Sequence, residues 1–297
     1  MRPYPEGMGR IRASFEIMKS SWGVLRQDKE LLWLPVCSFI ATLITMGVFV
    51  GGMFAVNAGE LPSTTSEVSS WSPITYVIGF AMWVVLAIIT VFFNAAMVSA
   101  ANERMTGGNP TFESAIAGAM AHIGPIIVWG LISATVSQIL RSIQERAGLL
   151  GRIVVGLIGM AWALVTFLVI PILVIEGVGV KEALTRSKDL FKRTWGEQVV
   201  GNATISIAAF LLILAATPVV GLFVITGITP LVITGIALGV LWIAGVGTVS
   251  TAMSGIFQTA LYRYASTGQI PAGYQPDVFE AAFRPKPAGK VAGFLSR

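Results

Sequence analysis

The sequence predicts an all-α polytopic membrane protein: six transmembrane helices with amphipathic helices along the cytoplasmic side. Three observations predict it. First, 12% of the 297 residues are charged and 55% are hydrophobic, whereas a soluble domain carries about 25% charged residues. Second, six apolar runs, at 31–56, 74–101, 123–140, 153–175, 199–224 and 231–262, approach or exceed the roughly 20 residues that cross a bilayer. Third, all but three of the 20 Lys and Arg residues fall in 1–30, 102–122, 176–198 and 263–297, which a six-span layout puts on one side. The exceptions are Arg141, Arg146 and Arg152. Positive loops mark the cytoplasmic side, so both termini are expected inside. Five spans would put 263–297 outside and spoil the asymmetry.

Three regions follow: a cytoplasmic amphipathic segment (1–30), a transmembrane domain (31–262) and a basic cytoplasmic tail (263–297). Because topology accounts for the cations, the net charge of +5 is no sign of nucleic-acid binding. The lone Cys37 excludes an internal disulfide, and with a single histidine, His122, the chain cannot build a Cys or His metal cluster alone. No cofactor is expected.

The elements come in order. In 1–30, Ile11, Phe15, Met18, Trp22 and Leu25 recur at helical spacing among cations, which suits an interfacial helix. The run 31–56 is longer than the 7–15 residues of a signal-peptide core, so it reads as the first span and not as a leader cleaved near Val56-Asn57-Ala58. A Ser/Thr/Pro loop over 57–73 follows. After the second span, Gly107-Gly108-Asn109-Pro110 spells a turn. Over 111–121, Phe112, Ala115, Ile116 and Ala119 share one side. The third span is short and interrupted early by Gly124-Pro125, and 141–152 is expected to be a charged loop. Pro171 is expected to kink the end of the fourth span. Gly227 to Pro230 is a tight turn before the glycine-rich sixth span, and 277–284 reads as the stub of a fourth surface helix.

The most telling stretch is 176–202. Val180, Leu184, Phe191, Trp195 and Val199 paint one helical face, while Lys181, Arg186, Lys188, Lys192 and Arg193 lie mostly away from it. Such a helix fits the membrane plane, apolar side toward lipid, cations on anionic headgroups at about 1 kcal/mol each. The rival reading is that these charges only set topology. The plan of surface helix, span, outer loop and span recurs over 9–101, 111–176 and 180–262. Echoes at Phe15-Glu16, Phe112-Glu113 and Phe279-Glu280, and at Trp22-Gly23 and Trp195-Gly196, support a threefold repeat. Parallel repeats imply a pseudo-axis along the membrane normal.

Asn94, Glu176 and Asn202 fall near the inner face and are expected to form a polar vestibule. Against that, Asn94, Asn202, Gln138 and Gln258 suit interhelical hydrogen bonds, and Glu176 suits pairing with Arg186 or Lys181. Gly47/Gly51 and Gly235/Gly239 permit close helix approach. No Lys-Ser/Thr follows Gly107-Gly108, so no phosphate loop forms there. Ser-His-Asp and paired-carboxylate arrangements are missing too, so no catalytic residue is assigned.

Phe93-Asn94-Ala95-Ala96, the Gly107 turn, Glu145-Arg146-Ala147-Gly148, Glu176-Gly177-Val178 and Thr194-Trp195-Gly196-Glu197 carry a resemblance. Over nearly the whole chain they resemble an uncharacterised family of prokaryotic six-span membrane proteins, a domain of unknown function. More distantly, the plan is similar to the membrane domain attached to some glycerophosphodiester phosphodiesterases. The resemblance implies fold and location, not hydrolysis, because the catalytic barrel is absent. The expected function is therefore non-enzymatic: organising lipid, through anionic headgroups, or partner proteins. A homo-oligomer or another membrane protein is left open as a partner. The rivals are a small transporter or channel between the repeats and, third, a lipid-modifying enzyme.

Overall fold

A computed structural model describes the backbone of residues 10–57, 73–193, 197–226 and 228–274, and the side chains of 18–57, 73–191, 204–223, 225–226 and 228–274. Among them the chain is all helix: α1 (Arg10–Gln27), a 3-10 turn (Lys29–Leu32), α2 (Trp33–Val56), α3 (Pro73–Met105), α4 (Phe112–Met120), α5 (Ile123–Arg146), α6 (Leu149–Thr166), α7 (Val169–Glu176), α8 (Val180–Arg193), α9 (Glu197–Ile225) and α10 (Thr229–Thr267). Six stretches are long and apolar enough to span a membrane: 29–56, α3, α5, α6 with α7, the 204–223 part of α9, and α10. Their outer faces carry large apolar residues, with Val48, Leu222 and Leu241 each at 68% exposure. Apolar surface on this scale is a liability in water and the right surface for lipid.

Two helices form the axis. α3 packs against α2, α4, α5, α7 and α10, and α10 packs against α9, α1, α2 and α3. Lipid is as apolar as leucine, so such helices associate by close fit and internal hydrogen bonds, not by escape from water. The sequence supplies the fit. Ala95, Ala96, Ala100 and Ala101 of α3 are fully buried, as are Ala252, Ile256, Phe257 and Ala260 of α10. At Gly255 a Cβ would fall 2.6 Å from Met97 Cγ. Gly235 and Gly239 press α10 onto Phe223 and Val220 of α9, so that small-residue pair serves a contact within the chain. Gly47 and Gly51 meet nothing within 4 Å.

Two expectations change. The segment 141–152 is not a loop: α5 runs on to Arg146 and α6 begins at Leu149. Arg141 Nε donates to Glu145 Oε1 at 2.9 Å, a pair one turn apart that supports the helix, and no breaker intervenes before Gly148. The third span, short as an apolar run, is thus a 24-residue helix. The fourth span is broken rather than kinked. α6 stops at Thr166 and α7 starts at Val169, with Pro171 in its first turn. Proline has no N–H to give to the carbonyl four residues back, that of Phe167.

One shorter helix followed by two span-length stretches recurs three times, as α1–α3, α4–α7 and α8–α10. The second unit is the odd one, with a nine-residue surface helix and the broken span. Trp195-Gly196, Phe279-Glu280, the expected 277–284 stub and the 58–72 part of the loop after α2 lie outside the described residues.

Candidate functional site

The charged end of the bundle is held by side chains that leave the span ends. Three consecutive residues in the last turns of α3 reach three different elements. Asn102 accepts from Arg263 Nη1 on α10 at 2.8 Å. Glu103 accepts from Ser114 Oγ on α4 at 2.8 Å. Arg104 grips both oxygens of Asp28, between α1 and the 3-10 turn, and also donates to Asn109 Oδ1 at 2.9 Å. Thr111 caps α4 reciprocally with Ser114, so the Gly107 turn ends in a fixed N-terminus. Beyond α10, the buried Tyr274 hydroxyl meets Ser21 Oγ of α1 at 2.8 Å. Burial pushes the Tyr274 phenol pKa up, and the Ser21 bond offsets part of that.

Glu176 closes the same end. Its Oε1 accepts from Tyr262 of α10 at 2.7 Å. Its buried Oε2 meets the Arg186 guanidinium as an ion pair whose geometry is not that of an aligned hydrogen bond. Arg186 also reaches Glu182, so one guanidinium joins two carboxylates. Gly177 makes this possible: it caps α7 at φ +66°, a left-handed conformation that turns the chain into α8 beside His122.

The break in the fourth span is closed from both sides. Gln258 of α10 donates to the Phe167 carbonyl that Pro171 leaves without a partner. Ser187 of α8, fully buried, donates to Val165 O at 2.5 Å.

These contacts decide how the surface helices lie. α8 buries Val180, Ala183 and Ser187, with Leu184 and Leu190 partly buried, against α6 and α7. Its inward face therefore meets the ends of the fourth span and not, as the apolar stripe suggested, bare lipid. Small side chains at 183 and 187 allow that approach and rotate the buried face away from the stripe. Lys181 and Lys188 remain exposed on the outward face, which also carries Glu182 and Asp189. Lys192 and Arg193 end the helix, and their side chains lie outside the described residues. In α1, Ser21, Val24 and Leu25 are buried and Trp22 is 40% exposed.

Of the expected vestibule, Asn94 keeps a buried Oδ1 with no protein partner, and Glu176 is engaged as above. The side chain of Asn202, on α9, lies outside the described residues. Among the described residues, two lateral grooves open between the spans, and neither Asn94 nor Glu176 lines them. One, about 640 Å³, lies between α1, α9 and α10 and is apolar apart from Lys19 and Ser250. The other, about 440 Å³, lies between α2, α3 and α10 and presents Ser38, Thr42, Thr90, Thr248 and Thr251. Both escaped the sequence reading, because a groove is a property of how helices are spaced. The run Asn102-Glu103-Arg104 was visible only as the end of a span. Among the described residues, no group of three His, Cys, Asp or Glu is placed to hold a metal.

Neither a curated protein nor a solved structure matches the chain. A family model does, over residues 73–272, from the start of α3 to just past α10. That is less than the near-complete coverage the resemblance suggested, because α1 and α2 fall outside it. The chain belongs to a family of unknown function, DUF6159.

Proposed function

We propose that this is a multi-pass cell-membrane protein, both termini cytoplasmic, that organises anionic lipid at the inner leaflet without catalysing a reaction. The observation that carries the reading is α8. Its inner face is anchored by Val180, Ala183, Ser187 and the Arg186–Glu176 pair. Lys181 and Lys188 are left outward, and the backbone puts Lys192 and Arg193 at the end of the same helix. Arg186 is committed to two carboxylates, so it belongs to the anchor and not to the headgroup set.

The test is lipid enrichment. The protein is reconstituted in nanodiscs of mixed phosphatidylglycerol and phosphatidylcholine, and bound lipid is identified by mass spectrometry. Joint substitution of Lys181, Lys188, Lys192 and Arg193 by Gln should abolish salt-sensitive phosphatidylglycerol enrichment and leave the melting temperature unchanged. Unchanged enrichment would remove the reading. Transport is the second reading, and the broken fourth span favours it, since discontinuous helices often hold substrates. Against it, Ser187 and Gln258 already occupy carbonyls at the break.

A further inference from the structure

The groove between α1, α9 and α10 has a shape and a polarity of its own. Its floor is small: Ala208 and Ala209 of α9, Gly245 and Ser250 of α10. On α10 it runs from Leu241 to Met253, which at 1.5 Å per residue is about 18 Å. Half of a roughly 30 Å hydrocarbon core is about the same length, so the groove is one leaflet deep. Trp242 closes one end, its ring tethered by Nε1–H to Leu212 O at 2.9 Å. α1 supplies the other end with Lys19 and Trp22, an exposed cation beside a half-exposed indole. That is the residue pair that settles at a headgroup boundary.

We infer that this groove holds one acyl chain of an anionic phospholipid from the α1-side leaflet, with its phosphate at Lys19. The inference rests on the lipid-organising reading above and places a specific lipid site on a different face from α8. Among the described residues, Lys19 is the one charged side chain lining the groove, so headgroup charge selects the occupant. The chain-length match and the apolar floor select an acyl tail over a peptide, which would bring a row of backbone amides into a lining whose described polar side chains are few, Lys19 and Ser250 chief among them.

The experiment uses full-length protein in detergent, titrated with phosphatidylglycerol and with phosphatidylcholine of identical chains, and read by native mass spectrometry. Gly245 lines the groove and a Cβ there meets nothing within 4 Å, so the side chain of Gly245→Phe starts in open space and occupies the groove. Wild type should retain one phosphatidylglycerol molecule, and Gly245→Phe should lose it. Lys19→Gln should keep a bound lipid but lower the preference for phosphatidylglycerol about fivefold. If Gly245→Phe does not fold, quenching of wild-type fluorescence by chain-brominated phosphatidylglycerol replaces it. The quenched fraction should then fall in Trp22→Phe/Trp242→Phe. A folded Gly245→Phe that retains lipid as wild type does, or quenching that the tryptophan variant leaves unchanged, overturns the site. Loss of enrichment in the α8 Gln variant alone leaves the broader reading standing and sinks the groove. Loss on groove filling alone does the reverse.

Discussion

Pro171 and Gln258 are predicted to be a matched pair, and the match can be measured. Pro171 denies Phe167 O its backbone donor, and Gln258 Nε2 from α10 supplies one. Gln258→Met keeps the volume and flexibility of the side chain and removes the donor. The carbonyl is then stranded where water is scarce. An unsatisfied buried acceptor costs about 1–3 kcal/mol, while polar pairs inside membranes average about 0.6 and reach about 1.7. The expected loss is therefore about 1–1.5 kcal/mol. Pro171→Ala alone should be nearly neutral, since its new N–H competes for an acceptor already served. In the double variant the backbone N–H gained at position 171 can bond Phe167 O, extending the ladder that already holds Ile172 N to Leu168 O at 3.1 Å. The loss should fall below about 0.5 kcal/mol, a coupling near 1 kcal/mol. Reversible unfolding in mixed SDS micelles reads all four corners of the cycle. Strict additivity would refute the account of the broken span.

Three further predictions concern the packing and the charged end. Gly255→Leu must part α10 from α3 at Met97 and should cost roughly 1–3 kcal/mol, while Gly245→Leu, with open space around it, should cost little in the same unfolding assay. Equal effects would mean the two helices do not meet there. Asp28→Asn should destabilise by about 2–3 kcal/mol, less than the 3–5 typical of a fully buried pair, because the Arg104 side chain keeps 24% exposure; a melting temperature unchanged in detergent would contradict it. The Tyr274 phenol is held neutral by burial, so its folded pKa lies above the unfolded value near 10. That stabilisation is complete below about pH 10 and is lost as pH rises through the folded pKa. Between about pH 9 and 12, wild type should lose more stability than Tyr274→Phe; parallel curves would count against the buried phenol.

What the sequence could convey followed from local chemistry. Runs of apolar residues place the spans, and within 111–121, where Phe112, Ala115, Ile116 and Ala119 recur at helical spacing, the structure has the short helix α4. The buried faces of α1 and α8 were harder to read. Ser21, Ala183 and Ser187 are small, and a stripe drawn through the largest residues passes them by. The helical path through Arg141 and Arg146 was hidden because charge reads as loop until the Arg141–Glu145 pair is seen. The Arg186 partner of Glu176, ten residues on, was named from spacing and forms, but Tyr262 and the Phe167 carbonyl lie 86 and 91 residues from Glu176 and Gln258. Those distant pairings exist only once the helices are assembled, so spacing could not name them.

We propose that α1, α8 and the end of α10 lie on the cytoplasmic side of a six-span bundle. Cys37 is the single cysteine, so Cys37→Ser gives a blank background for impermeant thiol labelling of intact cells. With Gln144→Cys, at the exposed end of α5, labelling should occur without permeabilisation. With Lys188→Cys it should occur only after permeabilisation. Labelling of Lys188→Cys from outside intact cells would contradict the arrangement.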